Sequence, residues 1–318
     1  MGEPGRDDPG TGGIFRGLKV IKRLFSGRFL LIIVLLALGY YIYDNIDEIL
    51  DYRFEFEWIP LLGSASAVTA GYVIMFMTWR MLARSFGLEA PLIASAKAFY
   101  LSQLGKYVPG KIGLVLVRVN AYRGYPPGKV VLATAVEYAA SFVSACIMIL
   151  GSAVLTGIDL PPWLRWSAMI MPAALLAFLW PPFLKRIVNA VSRLAKRQPV
   201  GRVPSFPRML LFVSMYMMVG LCWGLGLFLA LNSLSPVDVR YYFAVTGSFW
   251  SAVLIGIAAV FAPSGIGVRE GVLMLVLPAF VSRPTVMVGA ILMRLVMTAV
   301  ELFLAGFFSL IHGKPWKR

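Results

Sequence analysis

Long runs of apolar residues dominate this sequence and restrict what it can fold into. A helix needs about 20 apolar residues to cross roughly 30 Å of hydrocarbon. The apolar runs lie at 29–43, 59–79, 130–157, 163–184, 209–231, 241–262 and 285–311. Most of them reach that length. The first run is short and is expected to extend into its flanking residues. Charged residues make up only 14% of the 318, too few for a soluble fold. We therefore predict an all-α, polytopic helical membrane protein.

The residue inventory excludes several kinds of chemistry. The single histidine, His312, is near the end of the sequence, so neither a histidine-based metal site nor a Ser-His-Asp triad can form. Cys146 and Cys222 both fall within apolar runs, which leaves no disulfide framework. No Gly-x-x-x-x-Gly-Lys-Ser/Thr run occurs, so ATP hydrolysis is not expected. We predict no catalytic residue, no cofactor and no metal.

Positive charges are concentrated in alternate loops. The leader 1–28 carries six cations and the loop 185–208 carries seven, whereas 44–57, 158–165 and 232–240 carry one each. Loops rich in Lys and Arg stay cytoplasmic, which puts both termini there. This predicts a disordered basic leader (1–28), a single transmembrane domain (29–312) and a cytoplasmic tail (313–318) in a bacterial or archaeal inner membrane. The surplus of 30 cations over 15 acids suits anionic lipid headgroups rather than nucleic acid.

Two apolar segments are interrupted by turn residues. The orientation requires 92–120 to start and finish on the cytoplasmic side, which predicts a re-entrant hairpin broken at Pro109-Gly110. The segment 241–282 must begin and end outside. It could be two full spans, or one re-entrant hairpin near 241–280 that turns at Pro263–Gly267. The count of crossings allows both arrangements.

The two interruptions resemble each other. Val108–Gly113 recurs as Ala262–Gly267, 154 residues later. The helix-breaking residues are Pro109, Gly110, Gly113, Pro263, Gly265 and Gly267. Paired breaks in two halves indicate the binding site of a transporter, and the halves could be related by inversion. Helices that start near Ile112 and Val268 would present N–H groups to an anion. Two ordinary loops between spans would be the simpler alternative.

Charged residues within the apolar stretches define the candidate binding site. They are Lys106, Lys111, Arg118, Glu137, Arg269, Glu270, Arg294 and Glu301. A charge at the centre of a membrane helix costs about 2.5–3.5 kcal/mol, so such residues usually pair or line a pathway. For Arg269 and Arg294 we favour phosphate binding, because a guanidinium can hold a phosphate through two hydrogen bonds. For Glu137 and Glu301, structural ion pairs between helices are an equal alternative.

These residues resemble the transmembrane region of the lysylphosphatidylglycerol synthase family, a group of flippase-like integral membrane proteins. The resemblance covers about residues 60–312. Its motifs are matched in chain order by Pro109–Gly113, Arg118, Gly124–Pro126, Glu137, Pro263–Glu270 and Arg294. The sequence departs from the family pattern at Leu114, where an acid is expected, and at Tyr138 and Ser141, where Arg and Asp are frequent. The soluble aminoacyl-transferase domain of full-length synthases is not expected, because only seven residues follow Ile311.

The resemblance and the charges together predict lipid transport. We expect an anionic phospholipid, an aminoacylated lipid or a polyprenyl-phosphate-linked lipid to cross the bilayer through a cationic cavity. Its phosphate would contact Arg118, Arg269 and Arg294, with Lys106 and Lys111 at the cytoplasmic opening. A membrane-embedded transferase with Glu137 or Glu270 as its base is one alternative. A non-transporting partner of a lipid-modifying enzyme is the other.

Overall fold

The described part of the chain is entirely helical. A computed structural model describes residues 56–107, 113–157, 203–258, 263–265 and 267–311, together with residues 36 and 43 and short stretches between 162 and 189. These residues contain no strand, which confirms the all-α prediction for this part of the chain. The leader 1–28, the tail 313–318, the predicted span 29–43 and much of the predicted span 163–184 lie outside the described residues.

Eight helices account for most of the described residues. They are α1 (Trp58–Ser85), α2 (Leu92–Leu104), α3 (Gly113–Ala121), α4 (Pro127–Thr156), α5 (Phe206–Asn232), α6 (Tyr242–Ala258), α7 (Val268–Val276) and α8 (Arg283–Leu310). Short 3-10 turns occupy Gly105–Tyr107, Val239–Tyr241, Pro263–Gly265 and Leu277–Ala279. Five helices, α1, α4, α5, α6 with its preceding turn, and α8, are long and apolar enough to cross a membrane, which makes this a multi-pass membrane protein.

Proline and glycine set many of the helix ends. Prolines lie in the first turns of α4, α5 and α8, where the missing N–H has no partner within the helix in any case. α4 ends at Gly157, which has a φ of 66° and is therefore in the left-handed region that glycine tolerates. The long helices consequently begin and end close to where the sequence changes from apolar to turn-forming residues.

Close helix packing defines one end of the bundle, which we call the Ser233 end. The Glu57 N–H donates to the Ser233 carbonyl at 2.9 Å, and Ser64 Oγ donates to the Gly226 carbonyl at 2.7 Å, so α1 and α5 run antiparallel. Gly71 touches the Trp223 ring so closely that a Cβ atom there would lie 2.4 Å from its Nε1. Small residues thus let the backbones of the central helices approach.

The opposite end of the bundle, the Glu89 end, is where the first broken segment both starts and finishes. The Glu89 N–H donates to Tyr125 Oη at 3.0 Å, and Tyr125 Oη donates to the Glu89 carbonyl at 2.6 Å. Ser95 Oγ lies 2.9 Å from Tyr122 Oη. The helices between these contacts, α2 and α3, are about 20 and 14 Å long, too short to cross a bilayer. We call 92–121 the first hairpin.

The second broken segment starts and finishes at the Ser233 end. α6 packs antiparallel to α5 with Thr246 beside Gly224 and Trp250 beside Gly220, and it also packs against α7. The Tyr241 ring, just before α6, lies 5.5 Å from the Phe280 ring, just after α7. We call 241–280 the second hairpin.

The tips of the two hairpins meet inside the bundle. The turn Gly105–Tyr107 of the first hairpin contacts the turn Pro263–Gly265 of the second. Adding the 154 residues of the sequence repeat to the residue numbers of α3 and α4 gives 267–275 and 281–310. These ranges agree with α7 and α8 to within two residues. The similarity therefore extends beyond the six-residue motif to the order and length of the surrounding helices.

Candidate functional site

The second helix break is formed by backbone that only certain residues adopt. Ser264, Gly265 and Gly267 have φ values of 53°, 71° and 79°. Glycine reaches this left-handed region at little cost, whereas serine is strained there. The side chain of Ser264 is buried, and its carbonyl accepts a 3.4 Å hydrogen bond from Arg294 Nη2. The break is therefore held in place by a cation from α8.

An ion pair between Glu270 and Arg294 joins the second hairpin to α8. The Arg294 guanidinium donates to Glu270 Oε1, and Glu270 Oε2 accepts the Gly267 N–H at 2.7 Å. A carboxylate of the chain thus covers an N–H group at the start of α7, where an external anion was expected. Both side chains remain partly accessible, at 11% for Arg294 and 16% for Glu270.

A second ion pair joins the first hairpin to the same helix. Glu301 of α8 accepts hydrogen bonds from the Lys106 ammonium and the Tyr72 hydroxyl through Oε1, and from Tyr107 Oη, at 3.1 Å, through Oε2. Tyr107 Oη also lies 3.2 Å from Thr298 Oγ1. The carboxylate is almost fully buried, whereas 23% of the Lys106 side chain is accessible. Lys106 is therefore able to contact both its partner and the space beside it.

Arg269 differs from Lys106 and Arg294 in having no acidic partner among the described residues. It forms no ion pair with any described residue, and its buried Nε atom has no hydrogen-bond acceptor. Two glycines make room for its side chain. A Cβ atom on Gly256 would lie 2.7 Å from Arg269 Cγ, and one on Gly265 would lie 3.1 Å from its Nε. A buried N–H donor without an acceptor is costly, so this geometry favours an anion supplied from elsewhere.

These cations line one cavity. It encloses about 470 Å³ of space, part of which is open to the surroundings. Its charged lining residues are Lys106, Arg269, Glu270 and Arg294, and α6 and α8 supply apolar walls such as Phe249 and Met293. Met297, also in the lining, is 14 residues from the start of α8 and 13 from its end, about 20 Å from each. The cavity therefore lies at mid-height of a helix that is long enough to cross the membrane. We call it the central site.

Arg118 and Glu137 form a separate, closed cluster. The Arg118 guanidinium pairs with both Glu137 oxygens, and its Nε donates to Ser102 Oγ at 3.0 Å. Its planar group lies 4.0 Å from the centroid of the Trp79 ring, and Tyr216 Oη donates to Glu137 at 2.7 Å. Arg118 is 0% exposed. We call this the closed pair.

The structure therefore divides the predicted site residues into two groups. Lys106, Arg269, Glu270, Arg294 and Glu301 come together at the central site. Arg118, expected beside Arg269 and Arg294, lies in the closed pair instead. Arg118 and Glu137 line a second cavity, which shares no lining residue with the cavity of the central site. The reason is that α3 packs on α4 and α2, where Glu137 and Ser102 accept the hydrogen bonds of the guanidinium. Pro109, Gly110 and Lys111 lie outside the described residues.

The structure also adds residues that the sequence did not single out. Tyr72, Tyr107 and Thr298 surround Glu301, and Gly256 makes room for Arg269. One signal was available for Tyr107, which directly precedes the first break. Tyr72 and Thr298 are ordinary members of apolar runs, and only the packing of α1 against α8 brings them to the carboxylate.

The chain matches no model of a known protein family, and a search of curated proteins finds no match.

Proposed function

We propose that this protein moves an anionic lipid headgroup across the membrane through the central site. The observation that carries the proposal is the convergence of Lys106, Arg269 and Arg294 on one cavity at mid-height of α8. Charged groups at that depth are costly unless they pair or serve a pathway. Two of these cations have carboxylate partners, whereas Arg269 has none among the described residues. A lipid phosphate supplies the missing acceptor.

The two hairpins provide the route to this site. In the proposed arrangement both are re-entrant, the first entering from the Glu89 end and the second from the Ser233 end, as the halves of an inverted repeat. α6, although long enough to cross a membrane, would then end at the hairpin tip beside the turn Pro263–Gly265. Their contacts at the two ends and between the tips support this arrangement. A headgroup can then approach the central site from either leaflet while its acyl chains remain in the bilayer. The charge distribution of the loops assigns the Glu89 end to the cytoplasm.

Exchange of ion-pair partners explains how the site can be empty and still stable. In the empty site Glu301 neutralises Lys106, and Glu270 neutralises Arg294. An arriving phosphate binds Arg269 first and then competes with the two carboxylates for the other cations. Lys106 and Arg294 keep an anionic partner throughout, and the phosphate supplies one for Arg269, which favours binding in a medium of low dielectric constant.

Reconstitution into liposomes tests the proposal. A fluorescent phosphatidylglycerol in the inner leaflet should become accessible to a membrane-impermeant quencher, with its mass unchanged. Arg269→Gln should lower the rate at least about tenfold, since one charge-assisted contact contributes roughly 1.5–3 kcal/mol. Arg123→Gln is the matched control, because it removes an exposed guanidinium that bonds only to Asn120 among the described residues.

Two results would overturn the proposal. Unchanged lipid accessibility with a lipid of altered mass would indicate the transferase alternative. Equal rates for the wild type and Arg269→Gln, with both proteins folded, would remove the central site from any transport role.

A further inference from the structure

Among the described residues, the central site contains an odd number of charged groups. The described residues contribute three cations, Lys106, Arg269 and Arg294, and two carboxylates, Glu270 and Glu301. Two ion pairs account for four of these groups and leave the Arg269 guanidinium in excess. Counted over the residues that the structure describes, the central site therefore carries one surplus positive charge.

The position of the surplus charge is fixed by packing. Gly256 and Gly265 leave room for the Arg269 side chain beside the second break. Its Nε atom is buried there without an acceptor among the described residues. A site of low dielectric constant is most stable when its total charge is zero, because uncompensated buried charge costs several kcal/mol. The ligand that neutralises this site carries a net charge of minus one.

We propose that the central site selects lipids by net charge and takes a phosphodiester headgroup with a single negative charge and no ammonium group. This inference rests on the proposed lipid transport. A zwitterionic headgroup would leave the surplus positive charge in place. A phosphomonoester, mostly dianionic at pH 8 because its second pKa is near 6, would leave one negative charge in excess. Both are bound less well than the monoanion.

Native mass spectrometry of the protein in a non-ionic detergent tests the charge rule at pH 8. The probes are phosphatidylglycerol, phosphatidylcholine and phosphatidate with identical acyl chains. The wild type should bind phosphatidylglycerol about tenfold more tightly than either of the others, which corresponds to about 1.4 kcal/mol. Equal affinity for all three lipids would overturn the inference.

Charge-changing variants should move the preference in opposite directions. Arg269→Gln brings the site to zero and should remove the advantage of phosphatidylglycerol over phosphatidylcholine. Glu270→Gln brings the surplus to two and should shift the preference toward phosphatidate, while its amide oxygen can still accept the Gly267 N–H. Arg269→Lys keeps the surplus and should keep the wild-type order. Lipid preferences that stay the same in Arg269→Gln and Glu270→Gln would overturn the inference.

A soluble competitor separates failure of the charge rule from failure of the proposed function. Glycerophosphoglycerol carries the same phosphodiester without acyl chains and should compete at least about tenfold more weakly than phosphatidylglycerol, because no apolar area is buried. Equal competition would keep the charge rule but overturn lipid transport. Failure of all the lipids to bind to any variant would overturn both.

Discussion

The closed pair and the central site use the same residue types for different purposes. At the closed pair, one guanidinium has one carboxylate, a serine hydroxyl and two aromatic faces as partners, and nothing is left over. At the central site, three cations share two carboxylates beside a cavity. A buried charge is therefore not in itself a sign of function. The informative observation is a cluster in which the cations outnumber the carboxylates.

The closed pair and the central site should differ most in how much stability is lost when a carboxylate is removed from each. Glu137→Ala leaves Arg118 buried without a counter-charge and should lower the free energy of unfolding by about 3–5 kcal/mol. Glu270→Ala should cost less than about 2 kcal/mol, because Arg294 faces a cavity and retains the Ser264 carbonyl. Unfolding in mixed detergent micelles, followed by tryptophan fluorescence, measures both. Equal losses would contradict the distinction between the two sites.

Replacing both members of a pair should sharpen the same comparison. Arg118→Met with Glu137→Leu should recover at least about 2 kcal/mol of the loss caused by Glu137→Ala, because a buried ion pair is often exchangeable for apolar groups. Lipid movement in liposomes should persist in this double variant. Arg294→Met with Glu270→Leu should also fold, but its lipid movement should be lost. Loss of lipid movement in the first double variant would give the closed pair a part in transport.

A smaller change tests the position of Arg269 without altering its charge. Gly256→Ala places a methyl group 2.7 Å from the present position of Arg269 Cγ, and the resulting shift of the guanidinium should lower the rate of lipid movement about tenfold. Gly151→Ala is the matched control, since an added Cβ there meets no atom within 4 Å. Both changes should affect helix propensity equally, by up to about 1 kcal/mol. A rate equal to that of the control would mean that the exact position of Arg269 is unimportant.

The smallest expected effects come from removing the tyrosine hydroxyl groups that donate hydrogen bonds to each carboxylate. Tyr216→Phe removes a 2.7 Å hydrogen bond to Glu137 and should lower the free energy of unfolding by about 1–2 kcal/mol, with unchanged lipid movement. Tyr107→Phe removes hydrogen bonds to Glu301 and Thr298 at the central site and should change the rate of lipid movement about two- to threefold. Liposome assays and thermal unfolding of both variants provide the comparison.

The sequence predicted the long helices well because burial in lipid leaves a strong pattern. The apolar runs at 130–157 and 285–311 lie within three residues of the ends of α4 and α8. α1 is the exception, since it continues six residues past the predicted 79 to Ser85. Arg80 and Arg84 lower the hydropathy of its last turns without breaking the helix.

The predicted site residues include all the charged residues that the structure describes at the central site, but also Arg118 and Glu137, which form the closed pair. These residues were identified as charges within apolar stretches, because a charge at membrane depth is costly and usually pairs or lines a pathway. Which acid meets which base depends on packing between distant helices, and nothing local in the sequence distinguishes Arg118 from Arg269. The positions where the sequence departs from the resembled family, Leu114, Tyr138 and Ser141, all line the cavity beside the closed pair. That clustering is visible only in three dimensions.

One rigid helix contacts both hairpins. Arg294 and Glu301 are seven residues apart on α8, about 10 Å along its axis, and each is attached to a different hairpin tip. If α8 tilts about a fulcrum between them, the two side chains swing in opposite directions. One ion pair then lengthens while the other shortens. In the proposed transport, a tilt of this one helix can therefore open the path on one side of the membrane as it closes the path on the other.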